Sequence, residues 1–202
     1  MICCSVALAE APYPEWTFPA WTEADEEVAR LFQEAEPIAS NEEAVERARL
    51  VWSMSPFGQA LENADWRSRT MMLGTRSTFE VVAALPDGTE LHIDLYRDGS
   101  GVNSLEWPEQ SPFGRSRDAV QLDPNDPKQA ELIGYAVRFA EAVQPGDIAR
   151  ATQWDASIYD CGTEKYIVLE ALYGNEFDSS GREFVFQYEP LFRLISYTYW
   201  NG

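Results

Sequence analysis

The sequence predicts an α+β fold in which acidic N-terminal helices pack on a predominantly antiparallel sheet, with a further long helix inserted between two sets of hairpins. Two observations predict it. Helical periodicity is confined to two early segments and one central segment, and the predicted strands follow one another through turns instead of helices. We found no repeat and no composition shift. We therefore expect a single domain over residues 1–202, with 1–21 as an extended arm or the remnant of a targeting segment.

Prolines at positions 12, 14 and 19 exclude a helix from most of this arm. Further upstream, Ala7-Leu8-Ala9 has the small-x-small form of a signal-peptidase site. The apolar run before it is short, and no basic residue precedes it. A cytoplasmic location is our expectation, and a periplasmic or secreted one is the alternative if the segment is a truncated signal peptide. No apolar run reaches the ~20 residues of a membrane span, so we expect no membrane insertion.

Two acidic helices follow the arm. Thr22 is a suitable N-cap for the first, with acidic residues in its first turn and Pro37 after its end. The second begins after Ser40 or Asn41, and a shorter helix from Gln59 to Ala64 is possible. The apolar residues that recur at helical spacing are Val28, Leu31, Phe32 and Ala35 in the first helix and Ala44, Ala48, Val51 and Trp52 in the second.

Strand patterns begin after the helices. A possible strand covers 69–73, and a stronger one covers 78–85. Pro86-Asp87-Gly88-Thr89 is a turn, after which apolar and polar residues alternate over 90–96. A second glycine-containing turn leads into 102–107, which predicts an antiparallel meander.

Residues 108–127 hold four prolines and look irregular. Asp126 then caps the long helix with Pro127 at its first position. The stripe of this helix is Leu132, Ala136, Phe139, Ala140 and Val143. Strands over 154–159, 166–172, 183–188 and 192–200 form the second pair of hairpins.

Charge narrows the possible partners. The chain has 34 acidic and 15 basic residues and a net charge of −19. Such a field repels nucleic acid and attracts basic proteins, so we expect a basic protein partner and no nucleic acid. Acidity that only aids solubility is the alternative explanation.

Residues for metal or nucleophilic chemistry are scarce. Three cysteines (Cys3, Cys4 and Cys161) and one histidine, His92, suit neither a disulfide framework nor a zinc site. We expect His92 to pair with a carboxylate across the sheet. No catalytic residue, metal or cofactor is predicted, although 34 acids leave a hydrolytic carboxylate pair open.

Aromatic residues give the candidate partner-binding sites, because tyrosine and tryptophan bury large areas at low entropic cost. One candidate is the long loop and the strand end before it; the other is the last strand, although that strand could instead be covered on both faces. The residues in question are Glu106, Trp107, Glu109 and Phe113 in the first and Tyr197, Tyr199 and Trp200 in the second.

Size, charge and aromatic content together predict an acidic protein that neutralises or inhibits a basic partner, such as a toxin or effector, by occlusion. A bacterial toxin immunity protein or antitoxin works in this way. The alternatives are a hydrolase that uses a carboxylate pair and a phage or envelope assembly protein.

Overall fold

A computed structural model of the chain describes residues 16–57, 61, 63–107, 112, 119–174, 180–189 and 191–201. Within these residues, three α-helices pack on one antiparallel sheet, which confirms the predicted fold class. The helices are α1 (Glu23–Glu34), α2 (Asn41–Trp52) and α3 (Pro127–Val143). The strands are β1 (Asp65–Leu73), β2 (Arg76–Ala84), β3 (Glu90–Tyr96), β4 (Val102–Glu106), β5 (Ala119–Gln121), β6 (Ala151–Asp160), β7 (Lys165–Tyr173), β8 (Ser180–Glu189) and β9 (Arg193–Asn201).

The sheet consists of two meanders that meet in its middle. Its strand order is β1-β2-β3-β4-β9-β8-β7-β6-β5, and every neighbouring pair is antiparallel. The first meander runs inward from β1 to β4, and the second runs inward from β5 to β9. The last strand thereby pairs with β4, which joins the two halves through Leu105 opposite Tyr197 and Glu106 opposite Ser196.

The predicted helix starts are confirmed. Thr22 forms a reciprocal capping box with Asp25, and the Ser40 hydroxyl accepts from the Glu43 amide. Asp126 caps α3 and Pro127 occupies its first turn. These caps satisfy amides that the helix itself leaves without acceptors.

One face of the sheet packs against the helices. Buried residues of β2, β3, β7 and β8 share a single apolar core with Val28 and Phe32 of α1, Val51 of α2, and Leu132 and Phe139 of α3. The predicted stripe of α3 is buried along its whole length. We call the opposite side of the sheet the outer face.

Some boundaries differ from the prediction. Strand β1 begins four residues earlier than the predicted residue 69, and β5 lies inside the segment predicted to be irregular. Both are edge strands with mostly exposed residues, so neither shows the clean alternation of a half-buried strand. Of the possible helix over 59–64, residues 59, 60 and 62 lie outside the described residues, and residues 61, 63 and 64 are not helical.

The described end of the arm lies on the domain. Phe18 stacks on Tyr135 with ring centroids 4.7 Å apart and meets Phe192 edge-on at 4.9 Å. Among the described residues, no helix has both the length and the apolar content needed to cross a membrane.

Candidate functional site

Carboxylates line up across the outer face in one continuous register. Glu80 of β2 lies opposite Asp94 of β3, and Asp94 lies opposite Ser104 of β4. From the other side, Asp155 of β6 lies opposite Glu170 of β7, and Glu170 lies opposite Glu183 of β8.

The two halves meet through Thr198 of β9. It lies opposite Glu183, and it stands one step beyond the Leu105–Tyr197 pair, on the same line as Ser104. We call the five aligned carboxylates the acidic row; they are Glu80, Asp94, Glu183, Glu170 and Asp155. At the usual strand spacing, seven strands make a line about 30 Å long.

Strand periodicity places these acids on the outer face. In β3, Ile93 and Leu95 flank Asp94 and point into the helix-covered core, so Asp94 points away from it. In β8, Glu183 and Phe184 likewise point to opposite faces of the sheet. Because side chains directly opposite on paired strands share a face, register brings acids from five strands to one line.

The β2 end of the row has basic neighbours. Arg69 of β1 lies opposite Glu80 and donates a hydrogen bond to its carboxylate, which is the main reason that the pKa of Glu80 is lowered. His92 of β3 lies 3.6 Å from Glu80 of the neighbouring β2 (Nδ1 to Oε1), which confirms the predicted cross-strand pairing. It also lies 3.5 Å from Glu90 of its own strand (Nε2 to Oε2).

The middle of the row is less well compensated. Burial raises the pKa of Asp94, and the nearby charge of Glu80 adds to the effect, although the Ser104 hydroxyl donates to Asp94 over 2.9 Å and opposes it. The Asp94 carboxylate therefore has one neighbour that raises its pKa, Glu80, and one that lowers it, the Ser104 hydroxyl.

In the acidic row, ionisation is least favourable for the carboxyls on β7 and β8. Burial, followed by the charges of Glu170 and Glu106, raises the pKa of Glu183 to about 7. Burial and the charge of Asp155 raise the pKa of Glu170. Among the described residues, neither Glu170 nor Glu183 has an ion-pair partner.

An apolar cluster on the outer face accounts for part of this burial. It consists of Tyr166, Val168, Val185 and Ile195, with Tyr159 and Cys161 packed against it. Val168 and Val185 stand two residues from Glu170 and Glu183 on the same strands. They restrict water around the two carboxylates, and poorer solvation favours the protonated form.

The predicted partner-binding residues fall into different environments. Glu106 is exposed on the outer face beside Glu183. Trp107 is 2% exposed and packs edge-on against Trp52 at 5.6 Å, and Tyr197 is completely buried against Phe139 and Phe184. Both are core residues, which corrects the expectation that they stand at a surface.

The remaining predicted residues lie near the end of β9 or in the loop. Tyr199 is 39% exposed, and Trp200 is partly buried. Glu109 and Phe113 lie outside the described residues. Aromatics on both faces of the last strand indicated exposure, but the strand is central and its Tyr197 side is covered by helices.

Sequence reasoning missed the acidic row. Each acid stood at a polar position of a predicted strand, but only the pairing of distant strands shows that the positions align. Across the part of the chain that the structure describes, no group of three or more histidine, cysteine, aspartate or glutamate side chains is arranged to hold a metal ion.

Comparison of the chain with known protein families, curated protein sequences and solved structures found no significant match. The functional argument therefore rests on the residues and geometry of this chain.

Proposed function

We propose that this protein binds a basic protein partner through the outer face of its sheet and inhibits it by occlusion, as a toxin immunity protein does. The supporting observation is the acidic row, in which five carboxylates cross about 30 Å of one face. We place this encounter in the cytoplasm.

In the free protein the charged forms of two carboxyls in the acidic row are unfavourable, and a basic partner would stabilise them. Crowding and burial hold Glu170 and Glu183 at raised pKa values because their charged forms are poorly stabilised. An arginine or lysine placed between them would favour both charges. Binding near pH 7 should therefore release protons, since Glu183 ionises when a cation approaches.

The dimensions of the row suit a protein partner. A standard interface buries about 800 Å² on each side, which corresponds to a patch roughly 30 Å across. The net charge of −19 would also steer a basic protein toward this molecule before contact.

The test is capture of partners from native lysate by tagged protein, followed by surface plasmon resonance of the captured protein at several salt concentrations. Three forms are compared: wild type, Glu170→Gln/Glu183→Gln, and Glu27→Gln/Glu46→Gln. At about pH 8.5, above the raised pKa of Glu183, both double variants remove nearly the same charge. Glu27 and Glu46 are exposed on the helices, away from the outer face.

We expect a basic protein whose association rate falls with salt and whose affinity falls only with the outer-face variant. Equal losses in both variants would show that total charge, and not the row, determines binding. A captured protein that is acidic, or one whose association rate is independent of salt, would contradict the proposal.

A carboxylate-pair hydrolase remains a second candidate, supported by the facing pair Glu170 and Glu183. A glycosidase uses one carboxyl that keeps its proton near neutral pH, as general acid, beside a second carboxylate. Glu183, whose pKa is raised to about 7, has the property required of the acid. Turnover of chromogenic glycosides with a bell-shaped pH profile, abolished by Glu183→Gln, would favour it over occlusion. Absence of turnover across the panel would exclude glycosidase activity on those substrates.

A further inference from the structure

A cleft of about 480 Å³ opens at one end of the sheet. None of its lining residues belongs to the acidic row, although Arg182 directly precedes Glu183 in β8 and Tyr199 directly follows Thr198 in β9. It lies between the ends of the strands and the segment that follows α3. The residues that matter for its chemistry are Arg76, Arg150, Arg182, Tyr199, Ser100 and Asp147.

The cleft has the opposite sign to the rest of the molecule. Three arginines line it together with two aspartates, Asp98 and Asp147, in a chain whose net charge is −19. Arg150 and Arg182 both pair with Asp147, over 3.2 and 2.7 Å. The three arginines and two aspartates leave the lining one formal positive charge, which favours an anion.

Each guanidinium is held over a tyrosine ring. Arg76 lies 4.9 Å from the ring centroid of Tyr96, and Arg150 lies 4.6 Å from that of Tyr173. Arg182 lies 5.3 Å from that of Tyr199, which is partly exposed at the cleft. Stacking restricts these side chains, so less entropy is lost when a ligand binds.

Arg182 is the buried arginine of the cleft, and hydrogen bonds hold its side chain in place. It is 1% exposed, and its Nε donates to Asp147 Oδ2 over 2.7 Å. Its Nη1 donates to the Asn103 carbonyl and its Nη2 to Gln144 Oε1. These bonds use three of the five N–H donors of the guanidinium.

A serine also lines the cleft. The Ser100 side chain serves the neighbouring Asp98 carboxylate, and this interaction is the main reason that the pKa of Asp98 is lowered. The groups of the lining that can receive an anion are therefore the arginines.

We propose that this cleft binds a small molecule that carries an oxyanion, a phosphate or carboxylate, on an aromatic or other planar body. The oxyanion pairs with Arg76 and Arg150, and the planar body lies against Tyr199. Planar guanidinium groups match the geometry of such anions. The site is separate from the acidic row and takes a ligand of opposite charge, so it does not depend on the proposed partner.

Isothermal titration calorimetry of the full chain at constant ionic strength tests this with three probes: inorganic phosphate, phenyl phosphate and benzoate. We expect saturable binding of at least one aromatic probe, tighter than that of inorganic phosphate. The stronger of phenyl phosphate and benzoate identifies the preferred anion.

Two double variants separate the site from general electrostatics. Arg76→Gln/Arg150→Gln should weaken binding by about tenfold or more, because it removes charge-assisted hydrogen bonds. Arg30→Gln/Arg138→Gln makes the same charge change on α1 and α3, outside the cleft, and should leave binding unchanged. Tyr199→Ala should weaken only the aromatic probes.

Failure of all three probes to saturate at millimolar concentration would overturn the proposal. Equal weakening by both arginine pairs would overturn it as well, since attraction would then be a property of the whole surface.

Discussion

Glu170 of β7 and Glu183 of β8 lie directly opposite each other on the outer face of the sheet. Like charges in facing positions destabilise a sheet, and here burial adds to the cost. Two predictions concern this pair, and two more concern Asp25 and Gly99.

Glu183→Gln should stabilise the protein at high pH only. The pKa of Glu183 is about 7 in the folded state and about 4.3 when unfolded, so the folded state binds more protons in between. Its contribution to the free energy of unfolding therefore falls as the pH rises through this window. We expect the variant to be roughly 3 kcal/mol more stable than wild type at pH 8 and about equal at pH 4, by urea denaturation. A pH-independent difference would contradict the assignment.

Glu170→Gln should lower the pKa of Glu183 without restoring its ordinary value. The substitution removes the neighbouring charge but leaves the burial, which is the larger cause. A shift of about half to one unit is expected, measured by carbon-detected NMR titration of the glutamate carboxyls. The control is Glu46→Gln on α2, which should leave the titration of Glu183 as it is.

Asp25→Ala should cost about 3 kcal/mol of stability. Asp25 is completely buried and accepts from Thr22 N (2.6 Å) and Oγ1 (2.7 Å) and from Ser55 N (2.7 Å) and Oγ (2.6 Å). Burial alone would raise its pKa, but these bonds outweigh it and lower the pKa. Its stabilisation is therefore present above the pKa of an unfolded aspartate and is lost as the pH falls below it.

Thermal denaturation of Asp25→Ala measures this effect, with Glu23→Ala as the control in the same helical turn. Glu23 is exposed, so its loss should cost less than about 0.5 kcal/mol. Similar costs for both variants would show that the first-turn charge, and not the buried network, stabilises α1.

Gly99→Ala should destabilise the protein far more than Gly88→Ala. Both glycines have positive φ, 77° and 92° respectively, so each substitution carries a backbone cost of about 1 kcal/mol. A Cβ on Gly88 would meet open space, whereas one on Gly99 would collide with the backbone carbonyl of Glu36. We expect a small fall in melting temperature for Gly88→Ala and a much larger one for Gly99→Ala. Equal melting temperatures would show that the Glu36 backbone can move aside.

Local patterns predicted the helices and most strands because their signals lie within a few residues of one another. Thr22, Ser40 and Asp126 are caps that act on amides two or three positions away. The strand over 90–96 was evident because it is buried on one face. Strand β5 was missed because all three residues of Ala119–Gln121 are exposed and the segment carries no alternation.

The candidate site could not be predicted in the same way. Asp94 and Glu183 are 89 positions apart, and both belong to the acidic row only because β4 pairs with β9. Trp107 and Tyr197 have the composition of interface anchors, yet the same pairing brings them into the core.

The sequence by itself determined the fold class, the caps and the strong negative charge, since these depend on residue type and short-range spacing. Only the tertiary structure decided which acids stand in line, which aromatics are covered and where three arginines converge. Side chains on one strand alternate between faces with a period of two, but the register between strands depends on turns and on contacts between distant segments. The chemistry of this surface follows from that register.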